Sequence, residues 1–143
     1  MKQNINIKNT LLDLRTPVVM GILNVTPDSF ADGGKYTDLD QAMQQAEKMV
    51  AEGATILDIG GYSSRPGAAE VSIQEELDRV IPVLEKLKGF TDAFLSIDTF
   101  RSKVAAEAVP AGANMVNDIS AGEDDDAMLA TVARLGVPYI AMH

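Results

Sequence analysis

Residues 52–58 read Glu-Gly-Ala-Thr-Ile-Leu-Asp, and residues 111–117 follow the same plan with Ala-Gly-Ala-Asn-Met-Val-Asn. In each stretch a helical segment ends at a glycine, the residue that best adopts the left-handed backbone of a helix C-terminus, and an apolar strand starts at once. Residues 134–137 (Arg-Leu-Gly-Val) repeat the plan once more. Repeated β-α-β units with such short connections predict an α/β fold with a parallel sheet, either open and doubly wound or closed into a barrel.

Short apolar runs alternate with amphipathic segments along the chain. The apolar runs are typical of parallel strands covered on both faces, and they predict core strands at residues 18–23, 55–59, 93–97, 114–116 and 137–142. Apolar residues spaced by three and four predict helices at 39–50, 73–87, 101–109 and 125–135. Ser72 and Glu75 form a capping box before the second helix, and Pro82 within it marks a kink or a break. The alternating stretch 5–14 predicts an antiparallel hairpin ahead of the first core strand.

The composition is that of a globular protein with one core. The 143 residues include 12 Lys and Arg against 21 Asp and Glu, a formal net charge of −9, and 46% are apolar. With no linker or composition shift, we predict one domain over residues 1–143. The absence of cysteine excludes a disulfide framework and thiolate chemistry. The acidic balance argues against a nucleic-acid partner, because binding to phosphates needs a basic surface.

Export and membrane insertion are not expected from this sequence. No apolar run approaches the ~20 residues of a membrane-spanning helix. Residues 1–6 (MKQNIN) lack the apolar stretch of a signal peptide, so we expect a cytoplasmic protein without a membrane partner. A complete (β/α)8 barrel usually takes about 250 residues, so the 143 residues of this chain can hold only part of one.

Polar side chains stand at the carboxyl ends of the predicted strands. They are Asn24, Asp58, Asp98, Asn117 and His143. In parallel α/β proteins these ends meet on one face, which is where ligands bind. Taken singly, each residue could instead cap the next helix or form a turn.

The loop after the second core strand, residues 60–68, combines glycines, Ser63, Ser64 and Arg65. Arginine offers a planar fork of donors, and hydroxyls and free backbone N–H groups fill the remaining lone pairs of an oxyanion. The alternative is a surface loop with a solvated arginine.

Asp98 follows an apolar run at the rim of the predicted sheet. A carboxylate there can accept two hydrogen bonds from an amino-pyrimidine edge, with Asn117 supplying further donors and acceptors. The alternative is that Asp98 pairs with Arg101 and only fixes the loop. The acidic run 123–126 predicts a solvated helix N-terminus without a functional role.

Together these stretches resemble the signatures of dihydropteroate synthase, a family of the pterin-binding barrel superfamily. Residues 20–30 (MGILNVTPDSF) with 32–34 (DGG) resemble the first signature, and residues 58–68 (DIGGYSSRPGA) resemble the second. Residues 96–99 (SIDT) and 116–120 (VNDIS) match further motifs in order and at compatible spacing. The resemblance implies a (β/α)8 barrel of the TIM-barrel type, of which this chain covers about the first four β/α units and the fifth strand.

The resemblance also implies an activity in folate biosynthesis. The family joins 6-hydroxymethyl-7,8-dihydropterin pyrophosphate to 4-aminobenzoate, releasing pyrophosphate and forming 7,8-dihydropteroate. By position, Asp98 and Asn117 are then the catalytic pair that holds the pterin edge, with Ser64 nearby and Arg65 on the anion. Asn24 would place the pyrophosphate with its magnesium ion (Mg²⁺). The residues that would close over the aminobenzoate are Asp28, Ser29, Phe30, Asp32 and Pro66.

The chain departs from the family pattern in places. Tyr62 stands where glutamate is more frequent, so no loop carboxylate is expected there, and Ser64 replaces a frequent threonine but keeps the hydroxyl. The family's later motifs, an Asp-Pro-Gly segment, a Ser-Arg-Lys segment and a final Arg-x-His, are not among the 143 residues. We therefore expect the chain alone to be inactive or nearly so, as a truncated or proteolytic half or one of two complementing pieces.

Other functions stay open at this point. A methyltransferase domain that binds methyltetrahydrofolate shares the pterin-holding Asp and Asn. A noncatalytic half that needs a complementary C-terminal chain is the second alternative, and any homodimer contact is expected outside these residues. Half a barrel leaves open sheet edges, which predicts a marginally stable or associating chain.

Overall fold

The computed structural model describes residues 3–26 and 38–142 of the chain. A hairpin of β1 (Asn4–Ile7) and β2 (Thr10–Asp13) precedes the core strands, as predicted. These are β3 (Val19–Asn24), β4 (Ala54–Gly60), β5 (Phe94–Asp98), β6 (Met115–Asp118) and β7 (Tyr139–Ala141). The helices are α1 (Asp38–Ala51), α2 (Ile73–Lys88), α3 (Ser102–Ala111) and α4 (Met128–Leu135). Within the described ranges, no helix is long and apolar enough to cross a membrane.

The order of the strands decides between the two predicted architectures. Strands β3 to β7 form one parallel sheet in which every strand pairs with its neighbour in sequence. A doubly wound sheet reverses its strand order at a switch point, and the described strands contain no such reversal. Each connecting helix also packs on the next one along the chain. This is the arrangement of a (β/α) barrel wall.

One face of the sheet is covered by the helices. Side chains at alternate strand positions, including Leu23, Leu57, Ile97 and Val116, form a buried cluster with apolar residues of all four helices. Burial of such side chains from water supplies the main driving force for folding. The helical face of the sheet is therefore the core of the described structure.

The opposite face is covered at one end only. Ile7 and Leu12 of the hairpin pack against Ile56 and Met115 at the amino-terminal half of the sheet. Towards the carboxyl ends of the strands this face carries polar residues instead. The hairpin thus closes the bottom of the curved sheet and leaves the carboxyl edge for ligands.

The helix ends agree with the sequence pattern. Gly53, Gly112 and Gly136 all have positive φ, at 113°, 138° and 67°, so the three predicted helix-to-strand turns are confirmed. The Oγ of Ser72 accepts a hydrogen bond from the backbone N–H of Glu75, as predicted for the start of α2.

The predicted alternative of a break at Pro82 and the predicted start of the fourth helix at residue 125 are wrong. Helix α2 runs through Pro82 without a break. Pro82 and Asp78 are exposed, so water can bond the Asp78 carbonyl that the proline leaves without a donor. Helix α4 starts at Met128 instead of residue 125, because the Asp125 carboxylate turns back to accept hydrogen bonds from the backbone N–H groups of Ser102 and Ala127. Asp125 therefore caps the start of α3 and is not simply solvated.

A buried ion pair joins the loops on the carboxyl side of the sheet. Arg101, which follows β5, donates a 3.0 Å hydrogen bond from Nη1 to Oε1 of Glu76 on α2, a side chain that is 0% exposed. Its Nη2 also donates to the backbone carbonyl of Val71. The guanidinium lies 5.0 Å from the centre of the Phe100 ring. The alternative pairing of Arg101 with Asp98 is wrong, since Glu76 holds the guanidinium.

We expect Arg101→Met to lower the free energy of unfolding by about 3–5 kcal/mol, because it leaves the Glu76 carboxylate buried without its cation. Urea unfolding measures the loss. The double variant Arg101→Met, Glu76→Leu should recover most of it, since no charge is then left buried. Arg15→Met is the control, because the ion pair of Arg15 with Asp13 is exposed and should contribute nothing measurable. An Arg101→Met chain as stable as the parent would contradict the structural role of the pair.

Candidate functional site

The sheet register places the predicted strand-end residues in one row across the carboxyl edge. Asn24 pairs with Gly60, Gly60 with Asp98, and Asp98 with Asn117. These positions alternate with the helix-facing ones, so they lie on the open face of the sheet. A second row, one pleat further down, contains Ile22, Asp58, Ser96 and Met115.

Five of the six predicted binding residues that the structure describes line one cleft of about 670 Å³ above this edge. The cleft brings together Asn24 from β3, Asp98 from β5, and the loop residues Ser64, Arg65 and Pro66. Arg65 is exposed, and it forms no ion pair with any residue in the described part of the chain. Its guanidinium can therefore contact an anion that enters the cleft.

The remaining predicted residues are not part of this lining. Asn117 lies beside Asp98 in the row, but its side-chain nitrogen donates a 3.0 Å hydrogen bond to Oδ2 of Asp58. The predicted aminobenzoate residues Asp28, Ser29, Phe30 and Asp32 lie outside the described residues, as does His143. Their predicted roles stay predictions.

Asp98 is the carboxylate at the floor of the cleft. Its Oδ1 accepts a 3.0 Å hydrogen bond from the Tyr62 hydroxyl. Burial and the negative charge of Asp58 raise the pKa of Asp98 to about 6, although the hydrogen bond from Tyr62 acts in the opposite direction. The charged form of Asp98 is therefore destabilised in the ligand-free chain. A ligand that donates hydrogen bonds to the carboxylate would stabilise this form.

Two adjacent glycines make room for this arrangement. A Cβ on Gly60 would lie 3.2 Å from Oδ2 of Asp98, and a Cβ on Gly61 would lie 2.9 Å from Cγ1 of Val80. Neither glycine is among those with positive φ, so the requirement is for space and not for an unusual backbone. The glycine pair lets β4 pass close to the carboxylate and lets helix α2 approach the loop that follows.

Sequence reasoning missed two residues of the cleft. Tyr62 was noted only as a departure from the family pattern, yet its hydroxyl contacts Asp98 and its ring packs edge-on against Phe100. Arg79 of α2 also lines the cleft, and its Nη1 donates a 2.8 Å hydrogen bond to the carbonyl of Gly61. In the sequence, Arg79 lies four residues after Glu75 on a helix, and this spacing indicates only an ion pair on the helix surface. The structure contains that ion pair as well.

Asp118, which follows Asn117, is fully buried but needs no ligand. Its oxygens accept hydrogen bonds from the backbone and hydroxyl of Ser120, the backbone of Gly122 and the hydroxyl of Tyr139. Burial and the bond to Asp118 raise the pKa of the Tyr139 phenol. Asp118 thus fixes the loop after β6 and ties that strand to β7.

A family model described as "Pterin binding enzyme" matches residues 20–143, which include β4 to β7 and all of β3 except its first residue. The chain belongs to the pterin-binding enzyme family. It is 50% identical to the dihydropteroate synthase of Haemophilus influenzae over 135 residues, which are 94% of this chain and 49% of that protein.

Solved structures of this family show the same architecture. The dihydropteroate synthase of Xanthomonas albilineans with 4-aminobenzoic acid superposes with a TM-score of 0.94 and 47% identity, over 100% of this chain and 52% of that one. The same enzyme in complex with 7,8-dihydropteroate gives a TM-score of 0.88 and 44% identity, over 98% of this chain and 50% of that one. The chain therefore spans about half the length of these relatives and forms about half of a (β/α)8 barrel, as predicted.

We expect Asp98→Asn to stabilise the ligand-free chain at pH 8 by about 1 kcal/mol, a value reduced for solvent screening because Asp98 is partly exposed. The folded pKa of about 6 lies above the ordinary 3.8, so the folded state keeps more protons and loses stability as the pH rises between these values. The gain should therefore be present above pH 6 and absent below about pH 4. Thermal unfolding at both pH values measures it.

Asp92→Asn is the control for this substitution, because Asp92 is exposed and lies just before the same strand. It should leave the unfolding temperature unchanged at both pH values. An Asp98→Asn chain that is less stable than the parent at pH 8 would show that the Asp98 charge is already well compensated.

Proposed function

We propose that this chain supplies the pterin- and anion-binding part of a dihydropteroate synthase. That enzyme condenses 6-hydroxymethyl-7,8-dihydropterin pyrophosphate with 4-aminobenzoate to 7,8-dihydropteroate and releases pyrophosphate. The observation that carries the proposal is the presence of Asp98 and Arg65 in one cleft. A buried acceptor for an amino-pyrimidine edge and an exposed cation for an anionic group match the two ends of this substrate.

The pterin end is assigned to the row at the carboxyl edge. The Asp98 carboxylate accepts hydrogen bonds and lies beside Asn117, whose amide carries both a donor and an acceptor. Hydrogen bonds from ligand N–H groups to a charged acceptor are stronger than those between neutral groups. The raised pKa of Asp98 supports this assignment, because strongly shifted carboxyls in clefts are common at functional sites.

The pyrophosphate end is assigned to the loop after β4. Arg65 can form charge-assisted hydrogen bonds to phosphate oxygens, and the Ser64 hydroxyl in the same cleft can add another. Arg79 is available at the rim, although its Nη1 is already engaged by Gly61. The exposed position of Arg65 suits a group that must release its product.

We propose that a magnesium ion binds in this cleft together with the pyrophosphate of the substrate. The described residues contain no cluster of three or more histidine, aspartate or glutamate side chains that could hold a metal ion. Mg²⁺ usually keeps several waters and takes one or two protein oxygens plus substrate phosphates, and the Asn24 amide oxygen in the cleft can be such a ligand. When bound, the ion would neutralise charge on the pyrophosphate and so make it a better leaving group.

The chemistry then requires orientation more than an activated side chain. The aniline nitrogen forms a bond to the pterin methylene carbon, and the bond from that carbon to the pyrophosphate oxygen breaks with its electron pair. The nitrogen then loses a proton to water. Positive charge develops on the pterin and its methylene carbon as the anion leaves. Asp98, below the pterin edge, would stabilise that charge, while Arg65 would stabilise the departing anion. No nucleophilic serine or cysteine is needed, because the amine is already nucleophilic.

Several predictions about partners and location belong to this proposal. The described open face of the sheet carries exposed apolar side chains, among them Ile22 at 61% exposure. In a barrel this face turns inward, so we propose that further strands cover it, either from the same polypeptide or from a complementary half. A homodimer of the full-length protein and a cytoplasmic location remain predictions.

The methyltransferase alternative differs in the group that leaves. Methyl transfer from a folate needs no anion site, whereas this cleft contains Arg65 with no ion-pair partner in the described ranges.

Titration with 6-hydroxymethyl-7,8-dihydropterin pyrophosphate distinguishes the synthase from the methyltransferase. Binding that strengthens with Mg²⁺ favours the synthase. Binding that begins only when a C-terminal half is added favours a chain that must be complemented.

We expect Arg65→Gln to weaken binding of the Mg²⁺-loaded pterin pyrophosphate by about tenfold, the worth of one hydrogen bond to a charged group. The same variant should bind 6-hydroxymethylpterin, which lacks the pyrophosphate, as well as the parent does. Calorimetric titration with both ligands measures the difference. Arg134→Gln is the matched control, because Arg134 is an exposed arginine on α4 outside the cleft. An equal loss for both ligands would contradict the assignment of Arg65 to the anion.

A further inference from the structure

Asp58 is a buried carboxylate that the proposed chemistry does not use. It lies in the second row, below Asp98, and is 2% exposed. Like Asn117 it is not among the residues that line the cleft, and its row lies one pleat further from the carboxyl edge than Asn117 does. Its Oδ1, like the Oγ of its row neighbour Ser96, makes no hydrogen bond of ordinary geometry within residues 3–26 and 38–142.

The side-chain nitrogen of Asn117 donates a hydrogen bond to this carboxylate, at 3.0 Å from Oδ2 of Asp58. Burying a carboxylate costs free energy that a single neutral amide repays only in part. A residue that served packing alone would be replaced by an uncharged one at a gain in stability. The group that this buried charge holds at hydrogen-bond distance is the Asn117 amide.

An amide side chain has a donor end and an acceptor end of nearly the same shape. An ionised carboxylate can only accept hydrogen bonds, so Asp58 determines which end of the Asn117 amide carries the nitrogen. The carbonyl oxygen of Asn117 is then left as the second acceptor beside the Asp98 carboxylate. On Asp98 itself, Oδ1 is engaged by Tyr62.

We propose that Asp58 is a positioning residue that fixes the orientation of the Asn117 amide, so that the row selects ligand edges with adjacent N–H donors. This inference rests on the proposed pterin site. It adds the residue that determines which end of the Asn117 amide is presented to the ligand. Asp58 acts through Asn117 and does not touch the ligand.

The first test needs no ligand. The side-chain amide protons of Asn117 are identified by NMR from the signals that vanish in Asn117→Ala. In the parent chain one of them should exchange slowly with solvent, because it is donated to a buried charge. In Asp58→Asn, which keeps the shape but removes the charge, its exchange should be about tenfold faster. Unchanged exchange would overturn the inference.

The second test is a double-mutant cycle in which fluorescence measures the binding of 6-hydroxymethylpterin. Asp58→Asn should weaken binding about tenfold when Asn117 is present, and by less than about twofold in the Asn117→Ala background. An equal loss in both backgrounds would contradict an action through Asn117. Asp92→Asn is the control, since it removes a carboxylate that is exposed and lies outside the cleft, and it should change the affinity by less than about twofold.

These tests separate the inference from the proposed function. If the parent chain does not bind the pterin, either alone or with a C-terminal half added, but the Asn117 amide responds to Asp58→Asn, the proposed ligand is wrong and the positioning role stands. If the parent binds and the cycle is additive, the positioning role is wrong and the pterin site stands. Thermal unfolding of Asp58→Asn confirms that the variant is folded, as expected for removal of a buried charge.

Discussion

The parallel register of strands β3 to β7 is the constraint on which the site depends. Because the strands pair in sequence order, their carboxyl ends meet at one edge and place Asn24, Asp98 and Asn117 in a single row. Side chains alternate along a strand, so a shift of one residue in β5 would turn Asp98 towards the helices and Ile97 towards the cleft. The glycines at the helix ends let each strand begin directly after its helix, and the buried pair of Arg101 with Glu76 joins the segment after β5 to α2.

The same edge concentrates negative charge, and the protein handles each carboxylate differently. Four acidic side chains gather there, at Asp58, Glu76, Asp98 and Asp118. Glu76 is paired with a cation, Asp118 is satisfied by its own loop and Tyr139, and Asp58 accepts from Asn117. Asp98 receives a hydrogen bond from Tyr62 and faces the cleft. It is thus the carboxylate of this group whose charge is available to a ligand.

Much of the fold could be predicted from the sequence because its signals are local. Glycine after an amphipathic segment predicted the helix ends, and short apolar runs predicted the strands. The partners of individual side chains could not be predicted in this way. Arg101 is three residues from Asp98 in sequence, yet it pairs with Glu76 on another element, because only the packing of α2 against the sheet decides which carboxylate it meets. The bond from Tyr62 to Asp98 and the turn of Asp125 back to α3 are likewise set by tertiary contacts.

The central claim is that the Asp98 carboxylate, held in this row, accepts the N–H donors of a pterin. Carboxyl-carbon NMR of Asp98, titrated with and without saturating 6-hydroxymethylpterin, tests it most directly. The account predicts a midpoint near pH 6 in the free chain. With the pterin bound, hydrogen bonds to the charged form should lower the midpoint to about 4 or below. A midpoint that is the same with and without the bound pterin would contradict the account.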